Sequence, residues 1–210
     1  MRILGIGAHP DDIEIFMYGS LSAYKKRGDE IFLAIATDGA AGKVQVCKDL
    51  KKIRANETTK GLKSLGQPIF LNFRDGNLSN EIKASQKIKN LIQSLKLDLI
   101  ITHPPEDYHP DHKSLSNYVT EAAGFSCPVI FCETLMGVNF VPDFYVDITR
   151  FFKKKSQAIL CHKSQTPKKF LDAVTLMNRY RSAQFNSKAN NYAEVFRFEK
   201  KFPFSDVRSL

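Results

Sequence analysis

Residues 2–12 read RILGIGAHPDD, an apolar run of strand length that leads directly into a histidine, a proline and two carboxylates. An unbroken apolar run favours a strand that is buried on both faces, because half-exposed strands alternate apolar with polar residues. We therefore predict a buried strand over Arg2–Ala8. The polar residues that follow then lie at its carboxyl end, which is where open α/β sheets bind their ligands.

Strands and helices alternate along the rest of the chain. The further predicted strands are Glu30–Ala36, Pro68–Phe73, Leu97–Thr102, Val129–Phe131 and Phe144–Ile148. The predicted helices are Asp12–Arg27, Asp49–Leu65, Ser79–Leu95, a helix from about Asp111, Arg150–Cys161 and Pro167–Arg181. This alternation predicts a single-domain α/β protein over residues 1–210, Rossmann-like and doubly wound, with a mostly parallel sheet and helices on both faces. In the common strand order 3-2-1-4-5, the first and fourth strands are neighbours.

The composition is that of a globular protein. Of 210 residues, 43% are hydrophobic and 25% charged, which argues against disorder. No apolar run approaches the roughly 20 residues of a membrane span, and no secretory signal is visible, so we expect a soluble, cytoplasmic protein. The four cysteines have no metal-site spacing, so a structural zinc site is not expected from them. They are Cys47, Cys127, Cys132 and Cys161.

The net charge of +9 lies entirely in the last part of the chain. Residues 1–150 contain 18 basic and 18 acidic residues, whereas residues 151–210 contain 13 and 4. Such a basic C-terminal part can attract an anionic ligand or can be a solvated surface. Because no recognised nucleic-acid-binding motif accompanies the charge, no nucleic-acid partner is expected.

A second polar cluster, which includes His109-Pro110-Asp111-His112, follows the fourth predicted strand. Since the first and fourth strands are neighbours, this cluster should meet His9, Asp11 and Asp12. Adjacent carboxylates repel each other unless a cation lies close to them. Catalytic zinc is such a cation, and three protein side chains, typically histidines and carboxylates, hold it. One carboxylate then binds the metal while the other takes a proton from water. The alternative is that Asp11 or Asp12 caps the following helix.

These motifs resemble the LmbE-like (PIG-L) superfamily of zinc-dependent N-deacetylases. The resemblance rests on Ala8-His9-Pro10-Asp11-Asp12-x-Glu14, Arg54-x-x-Glu57, Leu65-Gly66, Asp75-Gly76-x-Leu78, His109-Pro110-Asp111-His112, Ala158-x-x-x-His162-x-Ser164-Gln165 and Tyr192-Ala193-Glu194-x-Phe196. It therefore extends from residue 2 to about residue 198. The fold it implies is the α/β fold already predicted.

The resemblance also implies roles for individual residues. His9, Asp12 and His112 would bind zinc, and Asp11 would be the general base that activates the attacking water. His109 would stabilise the oxyanion, with Asp111 as the partner that orients it. The proton for the leaving amine would come from either Asp11 or His109.

Four other residues are interpreted with two alternatives each. Arg54 resembles the family's substrate-contacting arginine, or else pairs with an acid on the helix surface. Tyr192 is expected to bind substrate, or to lie at the rim of the pocket. His162 is expected to support the site or to pack beneath it. His103 would lie behind the metal ligands, or be a hydrogen-bonded residue at a strand end.

The predicted function is removal of an N-acetyl group from an amino-sugar conjugate, either an N-acetylglucosaminyl-type compound or a nucleotide sugar. The loop Thr37–Lys43 lacks the Gly-Glu pair of many members, so the sugar is not assigned. An amidase for larger acyl groups or thiol conjugates is an alternative. A non-catalytic nucleotide-binding protein is disfavoured, because His-Pro-Asp-Asp replaces a glycine-rich turn.

The expected cofactor is Zn²⁺, with Fe²⁺ as the alternative metal. Two histidines and one carboxylate also suit a non-haem iron oxygenase, but the spare carboxylate of Asp11 favours hydrolysis. The expected partner is a small N-acetyl amino sugar, and an anionic aglycone is one option. A homo-oligomer is left open.

Overall fold

The computed structural model describes residues 1–42, 49–185, 187–188 and 190–200. Lys43, Cys47 and residues 201–210 of the basic C-terminal part lie outside these residues. The strands are β1 Arg2–Gly7, β2 Glu30–Thr37, β3 Pro68–Phe73, β4 Leu99–Thr102, β5 Val129–Cys132, β6 Phe144–Asp147 and β7 Ala193–Phe198. The helices are α1 Asp12–Phe16, α2 Tyr18–Arg27, α3 Leu50–Gly61, α4 Ala84–Leu95, α5 Pro110–Ala123, α6 Thr149–Ile159 and α7 Pro167–Gln184.

The seven strands form one sheet in the order β3-β2-β1-β4-β5-β7-β6. Strands β1 to β5 pair in parallel, whereas β7 is antiparallel to both β5 and β6. Within this sheet, Gly5 of β1 lies opposite Leu33 of β2 and Ile101 of β4. The predicted mostly parallel sheet is confirmed, and so is the neighbouring position of the first and fourth strands.

Hydrophobic residues cover both faces of the sheet. Leu4 packs on one face in a cluster that includes Ile88 of α4, and α5 belongs to the same cluster. Ile3 packs on the other face in a cluster that includes Leu21 of α2 and side chains of α1, α6 and α7. Because consecutive residues of β1 face opposite clusters, the strand has to be apolar throughout.

The single helix predicted over Asp12–Arg27 is wrong, because the chain breaks it at Met17. Met17 has φ −140° and ψ 3° and separates α1 from α2. The backbone N–H groups of Gly19 and Ser20 donate to the buried carboxylate of Glu194, at 2.9 and 2.7 Å. A carboxylate at a helix amino terminus satisfies free N–H groups and interacts favourably with the helix dipole. Glu194 therefore fixes where α2 begins.

Two further elements differ from the sequence prediction. Strand β7 is not predicted, because Glu194 interrupts its run of apolar residues. In the structure Glu194 is nevertheless buried, beside Lys155. The helix expected from Ser79 begins only at Ala84, after a short 3-10 helix over Leu78–Asn80. Across the described ranges, no helix has both the length and the apolar character needed to cross a membrane.

Candidate metal centre and active-site cavity

Asp11 occupies a strained turn between β1 and α1. Its φ of 132° lies in a region that side chains other than glycine rarely adopt. Arg54 of α3 holds this turn, since its guanidinium donates to the carbonyl oxygen of Pro10 at 2.7 Å and to Oδ2 of Asp11 at 3.1 Å. It also donates to the carbonyl of Gly39 at 2.9 Å. Such strain persists only where the surroundings over-determine the conformation, and Arg54 supplies that constraint.

Gly39 is required by this arrangement. Its φ is 65°, and a Cβ atom at this position would lie 2.8 Å from a guanidinium nitrogen of Arg54 and 2.9 Å from the Pro10 ring. A side chain here would therefore be strained and would also push Arg54 away from the turn that it holds.

Three side chains converge beside Asp11. His9 follows β1, Asp12 is the first residue of α1, and His112 lies in the first turn of α5 after β4. Nδ1 of His9 lies 3.2 Å from Nε2 of His112. Oδ2 of Asp12 lies 3.4 Å from Nδ1 of His9 and 3.5 Å from Nε2 of His112. The pairing of β1 with β4 brings these two distant segments together.

The separations of these three atoms fit a tetrahedral zinc ion. With metal–ligand bonds of about 2.0–2.1 Å, tetrahedral geometry places ligand atoms about 3.3 Å apart. Two imidazole nitrogens and a carboxylate oxygen also match the donors of catalytic zinc and of Fe²⁺. Overlapping sets of side chains that come within reach of one ion are His9-His109-His112, Asp12-His103-His112 and His9-Asp75-Asp111.

Carboxylates contact the outer nitrogens of both histidines. Nε2 of His9 lies 3.3 Å from Oδ2 of Asp111 and 3.2 Å from Oδ1 of Asp75. Nδ1 of His112 lies 3.1 Å from Oδ1 of Asp107. The Asp111 oxygen can accept the outer N–H of His9, which fixes that tautomer so that the inner nitrogen presents its lone pair to a metal.

Asp11 and Asp12 have different electrostatic surroundings. Burial raises the pKa of Asp11, although the positive charge of Arg54 opposes this shift. Burial would also raise the pKa of Asp12, but the neighbouring ring of His112 outweighs it and holds that pKa well below its usual range. Asp12 is thus suited to bind a cation, and Asp11 has the higher affinity for a proton.

His109 is the N-cap residue of α5 and lies beside the same group. Its Nδ1 accepts the backbone N–H of Asp111 at 3.2 Å, which leaves Nε2 to carry the proton of the neutral ring. Burial lowers the pKa of His109, and neighbouring His9 and His112 lower it further. The expected contact between the Asp111 carboxylate and His109 is replaced by this backbone hydrogen bond, since the carboxylate lies against His9.

Two further histidines lie outside the cavity. The ring of His103 stacks on His112 with 3.8 Å between centroids, and its Nε2 lies 3.0 Å from Oδ2 of Asp12. Burial lowers the pKa of His103 to about 4, so this ring is neutral. His162 lies 2.8 Å from Oε1 of Glu14. Neither histidine is among the described residues that line the adjoining cavity.

The centre opens into a cavity of about 280 Å³. Its apolar wall contains Phe16, Leu135 and Phe170, and Tyr108 lies 45% exposed at its edge. Asp75 lines the polar side, and its role could not be assigned from the family motif in which it lies. Asp75 follows β3, so its position at the carboxyl edge of the sheet could have indicated that it lies in the site. No feature of the sequence indicates that Phe170 and Leu135 line the cavity.

Arg54 and Tyr192 differ in position. Arg54 lines the cavity but is only 4% exposed, and its terminal N–H groups are committed to the protein. The ring of Tyr192 stacks on Phe152 of α6, with 3.6 Å between centroids. Tyr192 does not line the cavity as far as the described part of the chain defines it.

Comparison with known proteins identifies the family. The family model PIG-L, described as GlcNAc-PI de-N-acetylase, matches residues 4–123. This match is more than half of the chain and includes the whole segment from His9 to His112. The chain belongs to the PIG-L family.

Curated relatives of this PIG-L protein are named as deacetylases. It is 32% identical over 178 residues to the uncharacterized deacetylase YaiS of Escherichia coli (strain K12), covering 77% of this chain and 90% of the relative. It is 24% identical over 188 residues to the diacetylchitobiose deacetylase of Thermococcus kodakarensis, covering 79% and 70%. A 1D-myo-inositol 2-acetamido-2-deoxy-alpha-D-glucopyranoside deacetylase of Rhodococcus opacus is 27% identical over 158 residues, covering 59% and 54%.

Solved structures share the fold of this PIG-L protein. The N,N'-diacetylchitobiose deacetylase of Pyrococcus horikoshii has a TM-score of 0.80 at 22% identity, covering 94% of this chain and 83% of the other. GalB, the 4-carboxy-2-hydroxymuconate hydratase of Pseudomonas putida KT2440, has a TM-score of 0.82 at 20% identity, covering 94% and 96%. Since a hydratase has this fold too, the fold alone does not fix the reaction.

Proposed function

We propose that this protein is a metal-dependent N-deacetylase that hydrolyses the acetamide of an N-acetylglucosamine-type conjugate. The observation that carries the proposal is the meeting of His9, Asp12 and His112 beside the carboxylate of Asp11, which does not belong to that set of three. Three protein ligands leave a fourth position for water, which is typical of catalytic zinc. Relatives named for diacetylchitobiose, an inositol glycoside and a malate glycoside support a 2-acetamido sugar as the reacting unit.

Zinc held by these three side chains would polarise the amide and lower the pKa of water to about 7. Asp11 would accept a proton from the attacking water, because burial raises its pKa and makes it a stronger base. Arg54 would act as a positioning residue, since it holds Oδ2 of Asp11 and leaves the other carboxylate oxygen to the cavity.

His109 would stabilise the negative charge that develops on the amide oxygen. Its neutral ring carries the proton on Nε2, the nitrogen that is not bonded to the Asp111 backbone. A donor already oriented toward developing charge lowers the barrier without reorganisation. When the carbon–nitrogen bond breaks, the proton taken up by Asp11 would pass to the leaving amine, which restores the carboxylate.

The cavity limits the substrate. Its volume of about 280 Å³ is at the small end of ligand pockets, so it would hold one acetylated sugar rather than a long acyl chain. Phe16, Leu135 and Phe170 offer an apolar wall for the methyl group and the C–H face of the sugar. Within the described ranges Arg54 is the only arginine or lysine that lines the cavity, and its guanidinium is already bound by the protein.

An amine-release assay tests the proposal. Chelator-treated protein, reloaded with Zn²⁺ or Fe²⁺, is incubated with N-acetylglucosamine, N,N'-diacetylchitobiose, N-acetylglucosaminyl malate and a nucleotide sugar. We expect equal amounts of primary amine and acetate, with activity that is lost on chelation and restored by metal. Absence of amine with either metal would contradict the proposal, as would hydration of 4-carboxy-2-hydroxymuconate in place of deacetylation.

A further inference from the structure

Two adjoining clefts lie between α2, α6 and the segment that follows α3. Their volumes are about 220 and 410 Å³, and Ser64 and Lys154 line both of them. They share no described lining residue with the active-site cavity. We call these clefts together the lysine groove, after the lysines that line them. These are Lys25, Lys26, Lys60, Lys63 and Lys154.

The charge of the lysine groove is not neutralised by nearby acids. Residues 18–27, 50–67 and 149–159, which build it, contain a single acid, Glu57, and twelve lysines and arginines. Four of these twelve pair with acids outside these ranges, and none of the four lines the groove: Arg27, Lys51, Arg54 and Lys155. Glu57 is buried, and its carboxylate accepts hydrogen bonds from the backbone and hydroxyl of Ser164. A cleft lined by charges of one sign concentrates the electric field between its low-dielectric walls.

Helix dipoles explain only some of these lysines. Lys25, Lys26 and Lys60 lie in the last turns of α2 and α3, where cations interact favourably with the helix carboxyl end. Lys63 lies beyond the end of α3, and Lys154 lies in the middle of α6. Among the side chains that the structure describes, none pairs a carboxylate with Lys26, Lys60, Lys63 or Lys154.

Hydrogen bonds preorganise the floor of the lysine groove. Nζ of Lys25 donates to the carbonyl oxygens of Ser64 and Leu65, at 2.9 and 2.7 Å, which fixes this ammonium group. Tyr18 is 2% exposed, and its hydroxyl shares a hydrogen bond of 2.6 Å with Oγ of Ser64. Each hydroxyl has one hydrogen, and only one of the two hydrogens lies in this bond. The hydroxyl that accepts the bond can therefore donate its own hydrogen to a ligand. A fixed ammonium and a free hydroxyl both suit phosphate oxygens.

We propose that the lysine groove binds a small molecule that carries two or more phosphate groups. Five ammonium groups around two connected clefts match a multivalent anion better than a single monoanion. Phe151 and Ala158 add apolar surface beside the charges, which suits the organic part of a phosphate ester. The site gives Lys154, from the basic C-terminal part, a role outside the catalytic cavity.

Calorimetric titration with tripolyphosphate tests this site. Wild-type protein should bind one equivalent, and the affinity should fall as salt concentration rises. The double variant Lys63→Glu/Lys154→Glu should bind at least about tenfold more weakly, because like charges repel the ligand. The control is Lys89→Glu/Lys113→Glu, which changes the net charge equally at exposed positions of α4 and α5 on the other face of the sheet. Its affinity should be unchanged.

Two results would overturn the proposal. The first is no binding of tripolyphosphate by the wild type, and the second is equal weakening in both double variants. In the first case, binding to phosphatidylserine vesicles would assign the charge to a lipid surface. Circular dichroism and thermal unfolding establish that each variant is folded. The titration does not depend on the deacetylase reaction, so the two proposals can fail separately.

Discussion

Asp11 and Asp12 are chemically identical neighbours that the fold places in different surroundings. Asp12 faces the rings of His103 and His112, whereas Asp11 contacts Arg54 and faces the cavity. The first setting favours a permanent negative charge, and the second allows a proton to be taken up and released. One carboxylate can therefore bind a metal while the other does proton transfer.

Replacement of Asp11 by asparagine should separate these two roles. The amide oxygen can still accept the hydrogen bond from Arg54, but an amide cannot take a proton from water. We expect Asp11→Asn to keep its metal content and to lose about 10²- to 10⁴-fold in kcat, the range for a missing general base. Amine release and elemental analysis measure both quantities. The matched control, Asp12→Asn, should lose metal, and wild-type turnover by Asp11→Asn would remove Asp11 from the mechanism.

The sequence predicts which segments meet, but not every contact of the site. The clusters after β1 and β4 could be expected to meet because these two strands pair, whereas the choice of His9, Asp12 and His112 as ligands rests on the family resemblance. Arg54 could not be assigned, because its contacts with the Asp11 turn depend on how α3 packs. The ring of Tyr192 lies on Phe152, a contact that no spacing pattern indicates.

The start of α2 depends on a distant strand. Lys155 of α6 is fully buried, and its Nζ donates to Glu194 of β7 at 2.7 Å and to Asn178 of α7 at 2.9 Å. Glu194 in turn accepts the N–H groups that begin α2. Burial lowers the pKa of Lys155, and Glu194 opposes this shift. The pair thus joins α2, α6, α7 and β7 through one ionic contact.

Loss of this ammonium group should destabilise the whole protein. Lys155→Met leaves the Glu194 charge buried without its cation, and breaking a buried pair from one side costs about 3–5 kcal/mol. Urea unfolding measures the loss. The neighbouring variant Lys154→Met removes an exposed charge and should change the free energy of unfolding by no more than about 0.5 kcal/mol. Equal effects of the two variants would show that the buried pair does not hold these elements together.

The predicted strands and helices match the observed ones where the local sequence pattern agrees with the tertiary environment. Strands β1 and β4 are buried on both faces, so their unbroken apolar runs identify them. The predicted helix over Asp12–Arg27 is wrong because its break at Met17 is set by Glu194, which lies 177 residues further along the chain. Strand β7 is missed for the same reason, since the polarity of Glu194 is explained only by Lys155.

Over the whole molecule, the two proposed binding sites lie in different places and are lined by different kinds of side chain. The described active-site lining contains Asp11, Asp12 and Asp75 with a single arginine, whereas the lysine groove contains lysines and no carboxylate. Among the described residues of the basic C-terminal part, Lys154 lines the groove, and no lysine or arginine of this part lines the cavity. The carboxyl edge of the sheet does position the catalytic side chains, as expected for a doubly wound fold.

Anomalous diffraction at the zinc edge, from crystals of zinc-loaded protein, would show which side chains hold the metal. We predict one strong peak about 2.0–2.2 Å from Nδ1 of His9, Nε2 of His112 and a carboxylate oxygen of Asp12, with Asp11 close by but unbound. A peak held instead by Asp75 and Asp111, or one closed by a fourth protein side chain, would contradict the account.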